Sequence, residues 1–214
     1  MRTVGLVFVG IAHSGYGSSG FDSMVDGMED RDDTDETPYA QVVMDGDEIA
    51  TLLSTLERIR RTFAWKCGGL DADRLRATTA ASTMTLGGLL KHLALVEADW
   101  FAVKLRGEPI GAPWDSIDGD GHPDWEWRSA ADDSPEQLYA LWRVAVIRSR
   151  AMVAQALAEG GADQPSHLTW PDGRTPNLRR IVADMIEEYA RHTGHADLLR
   201  EAVDGLVGEE PPQS

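Results

Sequence analysis

Ile181, Met185, Tyr189, Ala196 and Leu199 recur at the three- and four-residue intervals of one helical face, which commits this segment to an amphipathic α-helix. Glu188 and His192 stand four apart on that helix and so point the same way, one turn above the other. They border the buried side, where an ionisable group needs a partner. A carboxylate oxygen and an imidazole nitrogen placed like this can hold one divalent ion. His195, three residues further on, lies on the same stripe.

A third ligand comes from an earlier helix. Leu89, Val96, Trp100 and Val103 form one face of a segment running from about Thr85 to Leu105, and His92 falls inside that face. Alone, such a histidine reads as a core residue bonded to backbone. A Glu-x-x-x-His pair on another inward face shifts the reading toward a shared metal held by His92, Glu188 and His192. Asp99, on the same helix, is about 10 Å further along the axis at 1.5 Å per residue, too far to share the ion easily.

Two more helices complete the pattern. Asp45 with Glu48 reads as a capping box ahead of the stripe Ile49, Leu52, Leu53, Leu56, Ile59 and Phe63, which stops at Gly68-Gly69. Ser134-Pro135-Glu136-Gln137 supplies a cap, a first-turn proline and a capping-box glutamine for a helix ending at Gly160-Gly161. Thr175-Pro176 reads as the start of the last helix, which runs to Gly205. The fold class is therefore all-α, a four-helix bundle over residues 45–205, a type whose core sites are built from side chains on facing helices. A long connection, Arg106 to Asp133, joins the second and third helices. Its Trp114, Trp125 and Trp127 argue for a packed flap over the open end of the bundle.

The residues around His92 (Lys-His-Leu-Ala-Leu-Val-Glu-Ala-Asp-Trp-Phe) and the run Met-Ile-Glu-Glu-Tyr-Ala-Arg-His-Thr-Gly-His-Ala-Asp-Leu-Leu-Arg-Glu at 185–201 resemble the actinobacterial branch of the DinB/YfiT-like superfamily. The segment Trp65-Lys66-Cys67 joins that resemblance, which spans about Asp45 to Gly205. The superfamily includes mycothiol-dependent maleylpyruvate isomerase and bacterial thiol S-transferases. The resemblance implies a four-helix bundle with a divalent metal on three ligands, at the positions of His92, Glu188 and His192. Glu188 replaces the histidine that many relatives carry there, as a glutamate does in the isomerase-like members, and His195 stands where many relatives carry glutamine. The donor set points to zinc, with nickel or another transition metal as alternatives, and the resemblance implies a mycothiol-like thiol as co-substrate. A homodimer is expected from relatives.

Composition narrows the partners. The formal charge of −16 over 214 residues leaves little to neutralise phosphates, so no nucleic-acid partner is expected. Cys67 is the only cysteine, which precludes an internal disulfide, suits a cytoplasmic location and reads as structural more readily than nucleophilic. Residues 1–44 differ from the rest and read as a flexible extension, with Met28 or Met44 as alternative starts. The apolar run Val4–Ala12 is too short to span a bilayer and makes only a thin secretory signal. Gly15, Gly17 and Gly20 spell a dinucleotide fingerprint, but the acidic stretch after them opens no helix, so no nucleotide site is expected. Asp118, Asp120 and Gly121 hint at a calcium loop, yet Ser116 and Trp127 fall where its first acid and bidentate glutamate belong. His122 and His167 read as loop residues, and 206–214 as a disordered tail.

Two imidazoles and one carboxylate leave positions open on zinc, the pattern of catalytic rather than structural sites. An open site can bind a thiol and lower its pKa. With the resemblance, this points to a metal- and thiol-dependent transferase or isomerase acting on a small molecule. His195 would be an outer partner or proton carrier, and Arg191 and Arg148 would meet substrate carboxylates. The competing readings are a metal-binding bundle without turnover and a hydrolase whose metal activates water.

Overall fold

The computed structural model describes residues 42–117 and 124–211. The glycine fingerprint, the calcium-loop spacing and His122 lie outside them. Among the described residues there are six α-helices: α1 (Glu48–Cys67), α2 (Ala72–Leu75), α3 (Leu86–Glu97), α4 (Trp125–Ser129), α5 (Pro135–Gly160) and α6 (Leu178–Asp204). The four long ones form the expected bundle. α6 packs along α1 and against α3, and α3 packs on α5, with the short α2 and α4 laid against α3. No helix among the described residues is long and apolar enough to cross a membrane.

Local chemistry sets the helix starts. Asp47, rather than Asp45, caps α1, its carboxylate accepting from Ala50 N at 2.8 Å. A start at Asp45 would put Gly46 inside the first turn, where glycine is a poor helix former. Ser134 and Gln137 form the predicted capping box of α5, Gln137 N donating to Ser134 Oγ at 3.2 Å and Ser134 N to Gln137 Oε1 at 2.8 Å. Ser134→Ala should therefore lower stability by about 1 kcal/mol. Unchanged urea unfolding would show that the box contributes nothing.

The last helix starts two residues later than its proline suggests. Asn177 is the cap, accepting from Arg180 N at 3.0 Å. Thr175 and Pro176 are held extended instead: Ser166 N donates to Pro176 O at 2.8 Å, and Asn177 pairs with Pro165 in an isolated bridge. Backbone committed to that pairing cannot also turn into a helix.

α3 continues beyond Glu97 as a π-helical stretch, Ala98–Arg106, whose wider turns keep Phe101, Ala102 and Leu105 buried. It stops at Gly107, at φ 67°, where an added Cβ would lie 2.6 Å from His167 Cγ. Left-handed backbone and the imidazole against it both require glycine. His167 thus packs at this helix end, and its backbone N–H donates to Leu105 O at 3.0 Å.

The core is made of Leu56, Phe63, Leu89, Leu90, Leu93, Phe101, Leu138, Trp142, Ile181, Met185 and Tyr189, all 2% exposed or less. Cys67 lies within it, and burial pushes its thiol well above the ordinary range, which suits an inert core residue. The connection between α3 and α5 is packed where described: Trp114 is buried and meets Trp125 edge-on, with centroids 6.0 Å apart.

Candidate metal centre

α3 and α6 bring the three predicted ligands together. His92 Nε2 lies 3.3 Å, and His192 Nε2 3.1 Å, from the same oxygen, Oε1 of Glu188. One ligand atom from each residue falls within 4.8 Å of the others. The rings of His92 and His192 meet edge-on at 4.9 Å, so their nitrogens converge without the rings stacking. Two nitrogens and a carboxylate oxygen facing one point fit a borderline divalent ion such as zinc and leave coordination positions open.

The electrostatics hold Glu188 ionised. Hydrogen bonding to His192 and then to His92 outweighs partial burial and keeps its carboxyl far below the usual carboxylate range. Burial alone would lower the pKa of His92, but its bonds to Glu126 and Glu188 win and raise it above the ordinary imidazole value. His195 moves the other way, its pKa lowered by burial and by the neighbouring His192 and Arg191.

The outer residues divide. His195 Nδ1 is 3.3 Å from His192 Nδ1, so one ring donates to the other behind the ligand atom. Arg191 donates to Glu187 at 3.0 Å and stands 3.5 Å from Glu188 Oε2. Arg148 is engaged elsewhere, donating to the carbonyls of Ile110 at 2.6 Å and Pro109 at 2.8 Å, where it pins the start of the long connection. Asp99 is likewise occupied, paired with Lys104 at 2.5 Å.

Glu126, on α4, escaped the sequence reading: its Oε1 lies 3.3 Å from His92 Nδ1. Trp127, expected only as part of the flap, stacks on the His92 ring at 4.6 Å. The only signal was an acid between two tryptophans.

A buried ionic network lies under the centre. Arg60 donates to both oxygens of Glu97, at 2.8 and 2.7 Å, and to Glu57 at 2.7 Å. Tyr189, next to Glu188, donates to Glu97 at 2.6 Å and accepts from Trp142 Nε1 at 2.9 Å. Arg150 closes the set on Glu57 at 2.7 Å. Burial alone would raise the pKa of Glu57, but the charges of Arg60 and Arg150 and their bonds hold it below its ordinary 4.5. A depressed carboxyl contributes stability that is present above 4.5 and lost as pH falls through its lowered folded value. The chain should therefore lose stability in that acid window, with a limiting slope of about 1.4 kcal/mol per pH unit for this proton. Urea unfolding of Glu57→Gln along the same pH series should show a shallower acid slope; an identical one would remove Glu57 from the account.

The fold and site thus define an all-helical bundle with a mixed histidine and glutamate centre between α3 and α6. The family model described as Mycothiol-S-transferase matches residues 51–205, a span that takes in the four long helices except the first three residues of α1, and every ligand candidate. The chain belongs to the mycothiol-S-transferase family. A comparison with curated proteins finds no match.

Proposed function

We propose that this chain is a divalent-metal-dependent transferase that joins mycothiol, or a closely similar low-molecular-weight thiol, to a small electrophile. The observation that carries the reading is the convergence of His92, Glu188 and His192 on one point in a chain of the mycothiol-S-transferase family. A zinc or nickel ion held there would lower the pKa of a bound thiol, making thiolate available near neutral pH.

The remaining work falls to the chain. His92 and His192 present Nε2 and Glu188 presents Oε1, while His195 steadies the far side of the His192 ring. Trp127 covers one face of His92 and keeps water from that side. Arg191, whose side chain is half exposed beside Glu188, is placed to meet an anionic group on a substrate. In the reaction the S–H bond breaks, a sulfur–carbon bond forms, and the leaving group departs with its bonding pair and takes up the proton.

The test is product formation from a fluorogenic alkyl halide by the zinc-loaded chain with and without mycothiol. Product that needs both thiol and protein, and that disappears with a chelator, supports the reading. Loss of halide that does not depend on the thiol points to hydrolysis and overturns it.

A further inference from the structure

We propose that Glu126 is a positioning residue for this centre, its carboxylate fixing the His92 imidazole so that Nε2 faces Glu188 and His192. The proposal rests on the metal-centre reading above. An imidazole has two nitrogens, and the hydrogen bond made by one decides what the other offers. In His92 each faces a different carboxylate: Nε2 is 3.3 Å from Glu188, and Nδ1 is 3.3 Å from Glu126. When Nε2 gives its lone pair to a cation, the ring hydrogen must sit on Nδ1, where Glu126 Oε1 accepts it. Glu126 stands at the nitrogen turned away from Glu188, so the ring lies between the two acids. This makes Glu126 an orienting partner and not a fourth ligand.

α4 is built to hold this carboxylate in place. Lys91, the residue before His92, lies 4.3 Å over the Trp125 ring and pairs with Asp133 at 2.5 Å, tying both ends of this segment to α3. Trp127 stacks on His92 at 4.6 Å and 24°, and approaches His192 at 6.2 Å. Gly88 makes room for that indole: it stands four residues before His92 on the same helical face, and a Cβ there would be 2.9 Å from Trp127 Cε3. His92 and Glu126 are 15% and 13% exposed, so little water competes for the bond between them. A glycine slot, a stacked indole and a carboxylate all act on one imidazole, and all come from outside the three ligands.

The experiment compares zinc affinity, by competition with a chromophoric chelator, of the full wild-type chain, Glu126→Met and Glu126→Gln. Methionine and glutamine match glutamate in length, but only glutamine keeps an acceptor at the same place. Glu126→Met should bind zinc about 10- to 100-fold more weakly, and Glu126→Gln should recover most of the loss. In proton–nitrogen NMR of the zinc-loaded proteins, the His92 Nδ1–H signal should persist in wild type and Glu126→Gln and exchange away in Glu126→Met. Packing alone would not separate two side chains of the same size. Wild-type affinity in Glu126→Met, or equal losses in both variants, overturns the proposal. A wild-type chain that takes up no zinc overturns the metal-centre reading and this proposal together, whereas zinc binding indifferent to residue 126 overturns this proposal alone.

Discussion

Arg60→Met should destabilise the fold by about 3–5 kcal/mol, the largest effect expected of any single substitution in the ionic network. The guanidinium is 3% exposed and serves two acids, Glu97 through a two-pronged bond and Glu57 through a third. Burial works against its charge, but Glu97 and Glu57 more than restore it, so Arg60 stays ionised. Methionine would fill much of the volume yet leave Glu97, fully buried, with only the Tyr189 hydroxyl as a donor to its carboxylate among the bonds described. An unpaired charge in that position costs more than the pair ever contributed. Glu57 would keep Arg150 and suffer less. Urea unfolding measures the effect. A loss below about 1 kcal/mol, the scale of an exposed ion pair, would show that water reaches Glu97 and that the network is not the dry core it appears in the packing.

His192→Ala should abolish stoichiometric metal binding while leaving the bundle helical. The substitution removes one of three protein donors, and a share of zinc-site binding energies suggests a loss of roughly 3 kcal/mol, or about a hundredfold in affinity. The fold should survive because His192 contacts Glu188, His195 and the rings of His92 and Trp127, while the core stripe of Met185, Tyr189 and Ala196 is untouched. Elemental analysis of protein purified without a polyhistidine tag, paired with far-UV circular dichroism, reads both halves of the expectation. A full equivalent of metal in the variant would remove His192 from the ligand set.

Much of this molecule was legible in its residues. The stripes on α1, α3 and α6 predicted three helices, because burial of one helical face writes its period into the sequence, and the end signals of α5 predicted the fourth. Ser134 and Gln137 marked a helix start correctly, since capping is a contact three residues long. The caps misplaced at Asp45 and Thr175 are instructive. Asp45 competes with Asp47 two residues later, and Thr175-Pro176 is drawn into pairing with Pro165 and Ser166, an event outside the local window.

The candidate centre divides along the same line. His92, Glu188 and His192 stood out as polar groups on apolar stripes, and the family resemblance added the expectation that they meet. Glu126 could not be found that way: it lies 34 residues from His92, in a connection with no period to betray which way a side chain faces. Glu97 stood in the sequence as one more acid on a helix; only packing sets it against Arg60 on α1 and Tyr189, 92 residues away, on α6.

The sequence by itself determined the helices, their inward faces and which polar residues those faces would have to accommodate, since each follows from contacts within a turn or two. The tertiary structure alone decided which of those residues meet: the convergence of His92 on Glu188 across 96 residues, the carboxylate behind His92, and the pairing that makes Arg60 and Glu97 tolerable in the core. Such meetings depend on how whole helices seat against one another, and no local spacing encodes that.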